Sequence, residues 1–132
     1  MTELLGVAHV GLTVTDLDRS RAWYEDILGW QFLFDGEDER TRFVVGIIAP
    51  SNIVLGLRQH RAGTGDTFDP GRTGLDHVAF SVGSRADLDT WQQRLVEKGV
   101  TYTPTIDAPY GHVLNFKDPD NIALELFSLP AG

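Results

Sequence analysis

The hexapeptide "HVGLTV" occupies residues 9–14, and "HVAFSV" occupies residues 77–82. Each opens on histidine and then alternates, as a half-buried strand requires. In the first, Val10, Leu12 and Val14 share one face, opposite His9, Gly11 and Thr13. In the second, Val78, Phe80 and Val82 oppose His77, Ala79 and Ser81. The two histidines lie 68 residues apart, close to half of the 132-residue chain. Further along, "NIVLGL" (52–57) matches "NIALEL" (121–126) at a spacing of 69. Two matches in the same order at nearly the same spacing point to an internal duplication.

Each copy continues in the same way. Asp16 or Asp18 caps a helix carrying Ala22, Trp23, Ile27 and Leu28, which Gly29 stops. In the second copy Ser84 and Asp87 resemble a capping box, Leu88, Trp91 and Leu95 follow at helical spacing, and Gly99 ends the run. The spacing places Trp23, Tyr24 and Trp91 on core faces. Three strands are expected after each helix, around "WQFLF", "RFVVGII" and "NIVLGLR", then around "TYTPTI", "HVLNFK" and "NIALELF". "APSN" (49–52) and "DPDN" (118–121) are matching turns, and "DGEDER" (35–40) reads as a solvated turn. The fold class is therefore α+β, with two tandem β-α-β-β-β units forming a curled mixed-sheet cleft. The units are residues 1–59 and 75–132, joined by a Gly- and Asp-rich linker at 60–74.

Composition narrows the function. Hydrophobic residues make up 42% and charged residues 23%, an ordinary balance for a globular protein able to bury a core. With no cysteine, disulfides, thiolate metal sites and cysteine nucleophiles are excluded. A net charge of −8 argues against phosphate-backbone binding, which needs clustered Lys and Arg. No apolar run approaches membrane-spanning length, and a cytoplasmic location is expected. Dinucleotide, His-Glu-x-x-His and Gly-x-Ser-x-Gly fingerprints are absent.

Strand alternation turns His9 and His77 away from the helix side. In "NIALELF", Ile122, Leu124 and Leu126 form the core face, so Glu125 points inward with Ala123 and Phe127. An inward carboxylate among apolar neighbours needs a partner. A lone strand histidine is more often an interior or rim residue than a ligand, and a lone glutamate is more often exposed or paired with arginine. Two histidines and one glutamate at equivalent places of a duplicated unit favour a shared divalent cation. His112 is a candidate acid or base, although alternation groups it with Leu114 and Phe116; Val113 and Asn115 face inward on that strand. Arg58 shares the inward face with Gly56, where it either binds an anionic group or pairs with an acidic residue.

The stretches "HVGLTVTDLDRSRAWYEDILGW", "GLDHVAFSV" and "FKDPDNIALEL" together resemble the vicinal oxygen chelate superfamily, which includes glyoxalase I, methylmalonyl-CoA epimerase, fosfomycin-resistance enzymes, extradiol dioxygenases and bleomycin-binding proteins. The resemblance implies metal ligands from the first and last strand of each unit, here His9, Gly56, His77 and Glu125. Glycine has no ligating side chain, so His9, His77 and Glu125 remain, a set similar to that of the fosfomycin-resistance enzymes and extradiol dioxygenases. Gly11 departs from the HxT pattern of the former, and Asn115 stands where the latter tend to carry tyrosine. The family implies one divalent ion per site (Fe, Mn, Ni, Zn or Mg) and a homodimer. The expected function is a metal-dependent enzyme (lyase, isomerase, thiol transferase or dioxygenase) acting on a small metal-chelating oxygenated substrate. Glu125, His112 and Asn115 are its catalytic candidates, and Gly56, Arg58, Val113 and Phe127 its pocket candidates. The alternatives are a metal-free protein of the bleomycin-resistance type that sequesters a small drug or metabolite, and a vestigial site.

Overall fold

A computed structural model describes residues 2–131. The chain divides into two compact units, Met1–Asp66 and Thr67–Gly132. In the first, β1 (Val10–Thr13), α1 (Leu17–Leu28), β2 (Gln31–Glu37), β3 (Thr41–Ile48) and β4 (Ile53–His60) follow in order. The second repeats the series as β5 (Val78–Ser81), α2 (Arg85–Glu97), β6 (Tyr102–Ala108), β7 (Gly111–Lys117) and β8 (Ala123–Ser128). Each unit folds into an open four-stranded sheet, ordered β1-β4-β3-β2 and β5-β8-β7-β6. The first strand of each pairs parallel to the last, and the other neighbours are antiparallel. These are the tandem β-α-β-β-β units expected from the repeated hexapeptides.

Local chemistry sets the helix limits. Asp16 is the N-cap of α1 and its carboxylate accepts from the Arg19 N–H at 3.1 Å, satisfying a donor that the first turn leaves open. Gly29 closes α1 in the left-handed region at φ 69°. Ser84 caps α2 by accepting from the Asp87 N–H at 3.2 Å, and Gly99 follows its end at φ 68°. Asn52 and Asn121, the last residues of the two matching turns, both take positive φ (56° and 64°). Asparagine tolerates that conformation better than other side-chain-bearing residues.

Each helix packs on its own sheet. From α1, Leu17, Ser20, Tyr24, Ile27 and Leu28 are buried; from α2, Leu88 and Leu95. Against them lie Leu12, Val44, Leu55 and Leu57 in the first unit, and Phe80, Leu114, Phe116, Leu124 and Leu126 in the second. Each such side chain removed from water contributes about 2 kcal/mol before chain entropy is counted. Trp23 and Trp91 are only half-buried, unlike Tyr24. Trp23 meets Tyr24 edge-on, ring centres 4.8 Å apart. The core tryptophan is Trp30, just past α1, whose indole N–H donates to the Leu55 carbonyl at 2.8 Å.

The antiparallel edge strand of each sheet is irregular. Register shifts between Phe32 and Phe34 in β2, and between Thr103 and Ile106 in β6. The "DGEDER" stretch is also less of a turn than its charge suggests, since β2 runs through Asp35, Gly36 and Glu37. The turn itself is held by Asp38, whose Oδ1 accepts from the Arg40 and Thr41 N–H groups at 2.8 Å each. Those two backbone donors hold the Asp38 carboxyl below the usual carboxylate range.

Candidate functional site

The face of each sheet turned away from its helix carries the residues singled out by alternation. In the second unit His77 stands one residue before β5, and β5–β8 pairing sets Ala79 beside Glu125. On the other side of Glu125, β7 contributes Asn115. The next row along the strands, on the same face, holds Ser81, Phe127, Val113 and Ile106. The pleat thus gathers His77, Ala79, Ile106, Val113, Asn115, Glu125 and Phe127, with Tyr110 from the β6–β7 turn, around one pocket of ≈ 420 Å³.

His77 Nε2 lies 3.5 Å from Glu125 Oε2. The other ring nitrogen, Nδ1, is 2.8 Å from Asp76 Oδ1. A carboxylate oxygen only accepts, so Nδ1 carries the proton and a neutral His77 ring presents the Nε2 lone pair to Glu125. Two acceptors this close repel unless a cation sits with them, either a second proton on the ring or a metal ion. A histidine that gives one N–H to a carboxylate and offers the other nitrogen is how proteins orient metal-ligating imidazoles. Imidazole nitrogen with carboxylate oxygen also suits divalent first-row metals. The donor chemistry of Glu125 and of His77, oriented by Asp76, therefore fits a divalent ion. Among the described residues no group of three or more His, Asp or Glu side chains is gathered to hold a metal.

The remaining candidates fall elsewhere. His9 belongs to the first unit, one residue before β1, and is exposed, with no polar partner among the described residues. Gly56 lies beside Gly11 in that unit's sheet, as Glu125 lies beside Ala79 in the second. Arg58, one row on, neither pairs with a carboxylate among the described residues nor stands bare. Its guanidinium stacks 4.4 Å from the Phe43 ring and donates to the Thr41 hydroxyl at 2.7 Å.

His112 is on the helix-facing side of β7, paired with Ser128 rather than with Glu125. Its Nδ1 lies 2.6 Å from Asp107 Oδ1, which also accepts from Arg85 Nε at 2.7 Å. Arg85, and then His112, hold the Asp107 carboxyl below its ordinary range. With Ser84, Arg85, Phe127 and Leu129, His112 lines a separate depression of ≈ 510 Å³.

Sequence reasoning missed Asp76, Ile106 and Tyr110. Asp76 was legible only as the neighbour of a candidate ligand, and adjacent residues in an extended chain normally point apart. It reaches His77 because both precede the regular part of β5.

A duplicated β-α-β-β-β protein with an imidazole–carboxylate pair in a concave pocket is the class that this fold and site define. The chain belongs to the Glyoxalase/Bleomycin resistance protein/Dioxygenase superfamily, whose family model matches residues 6–126. It is 30% identical to YwkD of Bacillus subtilis strain 168 over 127 residues, covering 94% of this chain and 97% of that protein. Among solved structures, it is similar to a glyoxylase/bleomycin resistance protein/dioxygenase domain from Frankia sp. EAN1pec, at 46% identity and a TM-score of 0.90, covering 96% of this chain and 99% of that one. The fold is shared with the fosfomycin resistance protein FosX of Listeria monocytogenes, solved with Mn(II) and sulfate, at 22% identity and a TM-score of 0.72, with 96% and 93% covered. Among the described residues no helix is long and apolar enough to cross a membrane.

Proposed function

We propose that the protein is a divalent-metal-dependent enzyme acting on a small oxygenated substrate that chelates the metal. His77 and Glu125 are the ligands in the second unit, and His9 holds the matching position, one residue before β1, in the first. The observation that carries this reading is the 3.5 Å approach of His77 Nε2 to Glu125 Oε2 with Nδ1 already committed to Asp76. Bound there, a divalent ion supplies Lewis-acid polarisation of a substrate oxygen. Asp76 fixes the ring orientation of His77. Asn115, in register with Glu125, offers an amide to a second substrate oxygen. Val113 and Phe127 give the next row of the sheet an apolar lining. The Mn(II) in the structure of FosX supports a metal in this fold.

The test is metal content after incubation with Mn, Fe, Ni, Zn and Mg salts followed by desalting. The parent should retain about one ion per chain, and His77→Ala and Glu125→Gln should each lose it. Absence of metal from the parent under all five conditions refutes the proposal and leaves the sequestering and vestigial readings.

A further inference from the structure

We infer that the substrate carries an apolar group of about ring size, and that the β6–β7 hairpin, through Ile106 and Tyr110, selects for it. This rests on the metal-site reading for the substrate's oxygen-bearing end, and on the pocket's own shape for the rest. The pocket lining is divided. His77, Asn115 and Glu125 are at one end, and Ile106, Tyr110, Val113 and Phe127 form the other. Cross-strand register makes the division a matter of rows. Ala79, Glu125, Asn115 and Thr103 are neighbours in one row, and Ser81, Phe127, Val113 and Ile106 are neighbours in the next on the same face. Successive rows on one face are two residues apart, about 7 Å. A substrate whose oxygens reach the first row therefore meets an apolar wall one ring's length away.

Two features show that the wall is built. Along β6, Thr103 stands opposite Asn115, and with regular pairing Thr105 would then face Val113. The register shift places Ile106 there instead. Pro104 has no N–H for the ladder, and the N–H and hydroxyl of Thr105 are drawn off to Gln92 Oε1 of α2 at 3.0 and 3.1 Å. Bulges re-aim side chains in this way, and here one exchanges a threonine for an isoleucine in the pocket. The second feature is Gly111. A Cβ at this position would overlap the edge of the Phe127 ring and crowd the Ser128 carbonyl, so the absent side chain leaves room for that ring against the hairpin. Ile106 and Tyr110 nevertheless remain 48% and 68% exposed. No Lys or Arg lines the pocket, so an anionic headgroup finds no permanent counter-charge there.

The test uses two hydroxamates that chelate through the same pair of oxygens, acetohydroxamate and benzohydroxamate, titrated calorimetrically into the metal-loaded protein. Benzohydroxamate should bind about tenfold tighter or better, from the area its ring removes from water. Tyr110→Ala and Ile106→Ser should each weaken benzohydroxamate more than acetohydroxamate, bringing the ratio toward one, while metal content stays unchanged. Equal affinities in the parent, with metal bound, overturn the inference and leave the metal reading standing. If the protein takes up no metal, the metal reading fails and the apolar wall is tested alone. Benzyl alcohol titrated into the metal-free protein should shift the amide resonances of Ile106, Tyr110, Val113 and Phe127 more than ethanol does. Equal shifts from both alcohols overturn the inference there too.

Discussion

The two units share a topology and differ side by side in what they place on each face of the sheet. In the apolar core beneath each helix the difference is one of arrangement. Trp30 follows α1 and fills the space over Gly46, where any Cβ would enter the indole ring. At the matching places of the second unit stand Val100 and Phe116, both buried. The large side chain has moved from the helix exit to the strand, two ways of filling the same close-packed core. On the concave side the difference is chemical. Gly56 answers to Glu125, Val45 to Asn115, Arg58 to Phe127, and Thr41, which holds Arg58, to Gly111, which makes room for Phe127. Packing has constrained the buried core of each unit and left the concave face free to diverge.

A double-mutant cycle tests the helix-side half of that comparison most severely. Gly46→Phe alone should prevent folding, and Trp30→Val alone should cost about 3–5 kcal/mol in urea unfolding. The double variant, which copies the second unit, should be more stable than Gly46→Phe. If it is not, the two cores are not interchangeable. On the concave side, Gly111→Ala pushes a methyl into the Phe127 ring at a residue whose φ is 154°. It should cost about 2–3 kcal/mol, and the Phe127 ring resonances should move.

Smaller effects separate two acidic residues by cause. The Asp107 carboxyl is lowered chiefly by Arg85, and that of Asp38 by backbone N–H groups. Molar salt should therefore raise the Asp107 pKa, followed by side-chain carbon NMR, and leave Asp38 nearly unmoved. Because both folded-state values are depressed, each group stabilises the fold above the ordinary carboxylate pKa, roughly 4. That contribution fades as pH falls through the lowered value. Arg85→Gln should move the acid unfolding limb to higher pH. The smallest effect belongs to Gly56→Glu. A Cβ there meets its nearest neighbours at 3.8 Å, ordinary contact, so stability should change by about 0.5 kcal/mol or less in thermal melts.

Much of this was legible because the rules that shape it are local or periodic. Asp16, Ser84 and Gly29 announce helix ends through hydrogen-bonding and φ requirements that few residues meet. The alternation in "NIALELF" separated Glu125 from Leu124 and Leu126, and it also grouped His112 with the helix-facing residues. The illegible parts are those where period two breaks or where a contact has no sequence spacing. "TPTIDA" does not alternate, and only the shift after Thr103 reveals that Ile106 rather than Thr105 faces the pocket. Trp30 over Gly46 joins residues on different elements, and nothing in either neighbourhood reports the other. Trp23 shares the helical spacing of the core, but adjacent helix residues point about 100° apart, and it is Tyr24 that is fully buried.

The parallel pairing of the first strand to the last orders each unit in time. β2, β3 and β4 form a meander of neighbours, as do β6, β7 and β8, and such short loops close quickly. Val10 must wait for Leu55, and Val78 for Leu124, across some two-thirds of each unit. β1 and β5 are four-residue edge strands, so their amides should be the last of the sheet to gain hydrogen-exchange protection during refolding. His9 and His77 each precede one of those late strands. On this order the imidazole of each half of the chain should be delivered to a sheet already formed.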